Sequence, residues 1–272
     1  MNSQMDGYFT DASMLRRVHR ERAMLLMGGR ALLMQAAHPV AVSGLVAHSA
    51  TPDEPYDRLA RTAEVMHTIA FGSKEDADRL TAHVRAMHAR VRGKTREAVG
   101  PFPAGTRYAA DDPELLMWVL YTLVDSGIVV YEKYVGRLNR AERAAYWEDY
   151  KVIGRLFGLP GADMPDSYAD LEAYAAEMYA SGKLVVSEWS RTRAKEIVFA
   201  PPVPFLARPL IEALNFVTIG LLPDAIRRQY GFFPLPGSLR EVAVAAGAEY
   251  VKRAVIPLLP EFVRLVPEAR AA

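Results

Sequence analysis

The chain has 272 residues, of which 51% are hydrophobic and 24% charged, and 33 basic residues against 32 acidic ones give a net charge of +1. This is the composition of a globular protein with a large core, and its balanced charge argues against nucleic-acid binding. The sequence has no cysteine, which excludes disulfides, iron–sulfur clusters and haem attached through Cys-x-x-Cys-His. Because "MNSQMDGYFTDAS" lacks a basic segment followed by an apolar one, we expect no export signal and a cytoplasmic protein.

Apolar residues recur at helical spacing along nearly the whole chain, and no hairpin pattern interrupts them. We therefore predict one all-α domain over residues 1–272, in which residues 200–272 form a C-terminal section after the proline-rich connector "APPVPFLARP". In chain order, the predicted helices run from Ser13 to about Ala37, from the capping box of Thr51 and Glu54 to Gly72, from Ser73 to Gly93 and from Asp112 to about Gly136, and then cover about 140–157, 167–181, 184–199, 208–221, 223–230, 237–250 and 251–264.

The stretch "LMQAAHPVAVSGL" places His38 in apolar surroundings directly before Pro39. Proline disfavours a helical conformation at the residue before it, so a helix should end or bend there. Two interpretations remain open: His38 caps the turn of the chain, or it points from a helix end into a pocket.

The next predicted helix contains "RLARTAEVMHTIAFG". A helical projection places Arg58 and Thr62 inside its apolar arc and Arg61 at the edge of that arc. Arg58 could form a buried ion pair, for which Asp125 is a candidate partner. Alternatively, the three side chains together hold an anionic or polar ligand.

The helix that follows contains "LTAHVRAMHARVRG", with His88 on its apolar stripe and His83 towards its polar side. His88 is either a core histidine bonded to a neighbour or an axial ligand to a metal or haem iron, since a neutral imidazole in an apolar wall suits that iron. Walker A, G-x-G-x-x-G, G-x-S-x-G and H-E-x-x-H motifs are absent.

The segment "LLMWVLYTLVDSGIVVYEKYV" is long enough to cross a bilayer. However, Asp125 lies at its middle, and a carboxylate at that depth is costly in lipid. We predict a helix in the core of the protein rather than a transmembrane span.

Four strings, "GGRALLMQAAHPVAVSGL", "RLARTAEVMHTIAFG", "RAMHARVRG" and "LMWVLYTLVDS", together resemble the family of haem oxygenases that contains the bacterial rubber oxygenase and the fungal oxygenase of mycophenolic acid synthesis. The resemblance extends from about Asp6 to about Phe232. It implies an all-helical fold with a globin-like core, a non-covalent haem b, and cleavage of a carbon–carbon double bond of an isoprenoid by dioxygen.

The resemblance also assigns residues. His88 corresponds to the proximal ligand of the haem iron, and Arg58 and Thr62 correspond to residues beside the haem on the distal side. The rubber-cleaving members have a lysine before that threonine, where this chain has Arg61. Arginine has no lone pair for a metal, so we expect an open distal position and Arg61 paired with a haem propionate.

A second departure concerns the base. The family's upstream glutamate is missing from "PVAVSGLVAHSATP", so the base is absent or is supplied by His38 or Asp125. We expect an oxygenase with haem b that acts on a hydrophobic, unsaturated, isoprenoid-like molecule. A haem-binding sensor or carrier without catalysis, and a helical interaction protein without haem, are the alternatives.

Overall fold

The computed structural model describes residues 6–47, 54–192, 216–231 and 237–269. Helices make up most of these residues, as the sequence predicts. The helices are α1 Met14–His19, α2 Leu26–Gln35, α3 Pro39–Ala47, α4 Glu54–Phe71, α5 Lys74–His88, α6 Pro113–Tyr134, α7 Arg140–Leu156, α8 Tyr168–Ala180, α9 Asp224–Tyr230, α10 Gly237–Tyr250 and α11 Glu261–Arg264. Further helical segments cover 188–192 and 216–220. Short 3₁₀ or π turns occupy Arg22–Leu25, Gly161–Asp163, Val251–Val255, Ile256–Leu258 and Pro267–Ala269.

Helix α6 forms the centre of the core and packs against α2, α7 and α10. It is the one helix in the described ranges that is long and apolar enough to cross a membrane, and 67% of its apolar window is buried inside the protein. That burial is what a core helix requires, because its apolar side chains contact other helices instead of solvent or lipid.

Close packing of α6 on α7 depends on a glycine. A Cβ atom added to Gly127 would overlap the hydroxyl of Tyr146, which is fully buried. The same hydroxyl lies 3.0 Å from Nε2 of His19, and the hydroxyl of Tyr150 lies 3.1 Å from it. This polar cluster joins α1 to α7, and burial lowers the pKa of His19 to about 4.

Local capping bonds begin α5 and α6 where the sequence predicts. The Ser73 hydroxyl accepts a hydrogen bond from the Asp76 N–H at 3.1 Å, and the Asp112 carboxylate accepts one from the Glu114 N–H at 2.9 Å. Pro113 occupies the first turn of α6, where its missing N–H has no helical partner to lose. The predicted boundaries of α7 and α8 are confirmed within two residues.

The single helix predicted from Ser13 to Ala37 is wrong. The chain is extended at Glu21, which forms a β-bridge with Leu265. The Glu21 carboxylate accepts two hydrogen bonds from Arg264, so a contact between distant parts of the sequence overrides local helical periodicity.

The predicted helix end at Gly93 is also wrong. Helix α5 ends at His88, and Gly93 lies in strand β1 (Arg92–Lys94), which pairs antiparallel with strand β2 (Arg107–Ala109). Gly93 lies opposite Tyr108, and a Cβ atom there would overlap the tyrosine ring. The sequence interpretation missed this hairpin because each strand has three residues, too few for an alternating pattern.

The last predicted helix, 251–264, is wrong as one continuous element, since it consists of a π turn, a 3₁₀ turn and the short α11. Other expectations lie outside the described residues. These are the start of the capping box at Thr51, the connector 200–209 and most of the predicted helices 184–199 and 208–221.

Candidate functional site

Helices α4 and α5 pack together as a helical hairpin that turns at Gly72 and Ser73. Arg58 precedes Ser73 by as many residues as His88 follows it. Since a helix rises uniformly along its axis, these two positions lie equally far from the turn. The fold therefore brings the arginine–threonine motif and the candidate iron ligand to the same end of the hairpin.

Burial decreases along α4 from residue 71 back to residue 61. Residues 69–71 are buried, Val65 and Met66 are half-buried, and Arg61 and Thr62 are exposed. The expectation that Thr62 faces the core is wrong in this structure, because its side chain is exposed. The Arg58 side chain lies outside the described residues, so its inward orientation and its pairing with Asp125 remain predictions.

His88 is the last residue of α5 and lies on the side of that helix that faces inward. Thr81 is buried, and Val84 and His88, on the same face of the helix, are half-buried. The Nδ1 atom of His88 is buried, while the neighbouring Met87 side chain is 44% exposed. His88 thus lies at the border between the core and an accessible apolar surface.

Helix α3 passes close to this end of α5. A Cβ atom on Gly44 of α3 would lie 3.1 Å from a methyl group of Val91, three residues beyond His88. Glycine at this position permits the approach. Helix α3 also packs against strands β1 and β2, so it borders the region where α5 ends.

His38 caps α3, which is the first of the two interpretations that the sequence left open. Its Nδ1 atom accepts a hydrogen bond from the Ala41 N–H at 3.3 Å, and its ring lies 5.3 Å from that of Phe102. The side chain is 2% exposed, and its Nε2 atom has no hydrogen-bond partner among the described residues. Burial lowers the pKa of His38 to about 4, partly offset by Glu114, so the ring is neutral near pH 7.

Asp125 forms an ion pair that the sequence interpretation missed. The Nη1 atom of Arg30 in α2 lies 2.7 Å from Oδ2 of Asp125. Arg30 is 2% exposed and also donates to the Ser126 hydroxyl at 2.9 Å and the Leu221 carbonyl at 2.8 Å. An arginine within the apolar string "LMGGRALLMQ" was the available signal.

An aromatic cluster adjoins Asp125 on the α8 side. The Tyr121 ring lies 5.5 Å from that of Trp118 and 6.5 Å from that of Tyr179. Burial, and the negative charge of Asp125 after it, raise the pKa of Tyr121 well above its usual range and the pKa of Tyr179 to about 12. Both phenols are therefore neutral near pH 7.

The sequence resemblance implies haem, so the described residues can be compared with what that group requires. No group of three or more histidine, aspartate or glutamate side chains that could hold an ion occurs in the described part of the chain. Haem needs less from the protein, because its porphyrin supplies the equatorial nitrogens and one imidazole can complete the attachment. The half-buried His88 beside apolar side chains fits that requirement.

Comparison with protein-family models places the chain among oxygenases. Residues 15–253 match the family described as ER-bound oxygenase mpaB/B′/rubber oxygenase, catalytic domain. The match covers most of the chain, so the protein belongs to this family, and the resemblance seen in the sequence is confirmed. No curated protein and no solved structure matches the chain.

Proposed function

We propose that the protein is a haem b-dependent oxygenase that uses dioxygen to oxidise a hydrophobic, unsaturated, isoprenoid-like molecule. Family membership supports the oxygenase class. The observation that carries the cofactor assignment is the position of His88, half-buried at the end of α5 and as far from the hairpin turn as Arg58. The cytoplasmic location and the globin-like core remain predictions.

In this proposal, bound haem supplies the binding and activation of dioxygen. His88 would hold the iron through one ring nitrogen, and a hydrogen bond at the other nitrogen would orient the ring. Arg58 and Thr62 would donate hydrogen bonds to an oxygen atom bound there and so stabilise negative charge that develops on it.

Arg61 has a different role in this proposal. Its side chain is exposed and has no lone pair for iron, so it pairs with a carboxylate such as a haem propionate. Asp125 remains a candidate base because its side chain is 27% exposed. The apolar Met87 side chain, next to His88 in the sequence, is 44% exposed and suits contact with an apolar substrate.

The absorption spectrum tests the cofactor. Purified protein with added hemin should show a Soret band, and His88→Ala should lose or strongly shift it because the iron ligand is gone. His83→Ala is the matched control, since His83 is an exposed histidine of the same helix, and its spectrum should equal that of the wild type. A wild-type protein that binds no hemin, or an unchanged spectrum in His88→Ala, would contradict the assignment.

Oxygen uptake separates an oxygenase from a haem sensor or carrier. With isoprenoid lipids as substrates, haem-loaded wild type should consume dioxygen, whereas a sensor would show the Soret band without uptake. Arg58→Ala should retain the Soret band and lose about 10²–10³ in rate, the usual effect of removing one preorganised donor. Equal oxygen uptake by wild type and Arg58→Ala would contradict the assignment of Arg58 to the site.

A further inference from the structure

The hydrogen bond from the Ala41 N–H indicates which ring nitrogen of His38 carries the proton. The Ala41 N–H donates to Nδ1 at 3.3 Å, so Nδ1 presents its lone pair. In a neutral imidazole one nitrogen accepts and the other carries the hydrogen. His38 is therefore the tautomer with its hydrogen on Nε2, and burial keeps it neutral near pH 7 by lowering its pKa to about 4.

This Nε2–H group is a buried donor without an acceptor among the described residues. Native proteins pair nearly all such groups, and an exception calls for an explanation such as a ligand. The charged groups that act on the ring are Glu114 and Asp112 at the start of α6, and Lys183. None of these carboxylates forms a hydrogen bond with Nε2.

His38 directly precedes α3, the helix whose residue Gly44 approaches the end of α5, and lies six residues before Gly44. His38 caps α3, and α3 contacts Val91 just beyond the end of α5 through Gly44. A molecule held beside His88 would therefore lie in the region that α3 borders.

We propose that His38 is a ligand-binding residue whose Nε2–H donates a hydrogen bond to an oxygen atom of the molecule bound beside α3 and α5. His38 then does not act as the base, because the α3 cap occupies its lone pair. This proposal rests on the proposed function, since the bound molecule is the dioxygen-like ligand or oxidised substrate of the haem site.

Nitrogen-15 NMR of the imidazole groups tests the tautomer without haem. We expect His38 to show Nε2 protonated and Nδ1 unprotonated from about pH 8 down to about pH 5, with the resonances assigned through His38→Asn. A ring protonated on Nδ1, or an imidazolium at about pH 7, would overturn the proposal.

Two substitutions separate the cap from the donor. His38→Asn retains an acceptor near the Nδ1 position but has no donor that reaches the Nε2 position, whereas His38→Gln retains an N–H near the Nε2 position and lacks the cap. His38→Gln should therefore lower Tm by a few degrees relative to His38→Asn. His83→Gln serves as the exposed control.

Carbon monoxide bound to the reduced, haem-loaded protein is the ligand probe, because its stretching frequency falls when a donor contacts its oxygen. The frequency should rise in His38→Asn and return towards the wild-type value in His38→Gln. If His38→Asn shows a Soret band but an unshifted carbon monoxide frequency, the contact between His38 and the ligand is overturned. The proposed function is not affected by that result. Failure to bind hemin overturns the proposed function and the ligand contact with it, while the tautomer is still decided by NMR.

Discussion

Arg30 explains how the core helix α6 carries a carboxylate in an otherwise apolar sequence. Arg30 is 2% exposed, its guanidinium pairs with Asp125, and it also donates hydrogen bonds to Ser126 and to the Leu221 carbonyl. Periodicity in α6 showed that Asp125 was unusual. It could not identify Arg30 as the partner, because that pairing depends on how α2 crosses α6 rather than on spacing within either helix.

Substituting Arg30 by Met should lower the free energy of unfolding by about 3 kcal/mol, since it leaves Asp125 without its cation and two further acceptors without their donor. Urea unfolding followed by circular dichroism measures this change. Arg79→Met, which breaks an exposed pair with Asp76, is the control and should change stability by less than about 1 kcal/mol. Equal stability of the two variants would show that the Arg30–Asp125 pair does not stabilise the fold.

At the level of elements, the sequence predicted the starts of helices better than their interruptions. Ser73 and Asp112 cap α5 and α6 through bonds to backbone groups a few residues away, so the signal lies within a short string. The break at Glu21 arises instead from Arg264, in a segment far along the chain. No local pattern reports such a contact, and the continuous helix was therefore predicted wrongly.

The segment 261–269 follows the family-matched region and forms hydrogen bonds with the residues between α1 and α2. Arg264 donates to both carboxylate oxygens of the buried Glu21, at 2.8 and 2.7 Å. The Val266 N–H donates to the Arg20 carbonyl at 2.9 Å. Further along, Glu268 lies 2.9 Å from Nε2 of His67 in α4, so the segment also reaches the helix that carries Thr62.

Replacing Arg264 by Met should lower the free energy of unfolding by about 3 kcal/mol, because Glu21 is 2% exposed and would remain buried as a charge without its main partner. Arg253→Met removes an exposed arginine that pairs with Glu249 in the preceding turn, and should change stability by less than about 1 kcal/mol. Thermal unfolding of both variants provides the comparison. If Arg264→Met unfolded at the same temperature as Arg253→Met, the C-terminal segment would not stabilise the fold.

At the scale of the whole molecule, composition and periodicity were sufficient to predict a mostly helical protein, and four short strings were sufficient to predict its family. The candidate site was predicted less completely. The strings identify His88 and Arg58 as residues of interest, but only the α4–α5 hairpin shows that both lie equally far from one turn. The exposure of Thr62 depends on how α4 packs, which helical projection cannot show.

Two histidines, His19 and His38, make the stability of the protein depend on pH. Burial lowers the pKa of His19 and that of His38 to about 4, against about 6.5 for an exposed histidine. Between those two values the unfolded chain binds more protons than the folded protein. The free energy of unfolding should therefore fall as the pH falls from about 6.5 to about 4, by up to about 3 kcal/mol for each histidine.

Urea unfolding at a series of pH values from about 7 to about 4 measures this loss. His38→Asn removes one titrating group while keeping a side-chain acceptor for the Ala41 N–H, so its stability should fall less steeply over the same window. The His19 contribution should persist in that variant, because His19 lies in a separate cluster with Tyr146 and Tyr150. Parallel curves for wild type and His38→Asn would mean that His38 takes up a proton as readily in the folded protein as in the unfolded chain, which contradicts the burial of its ring.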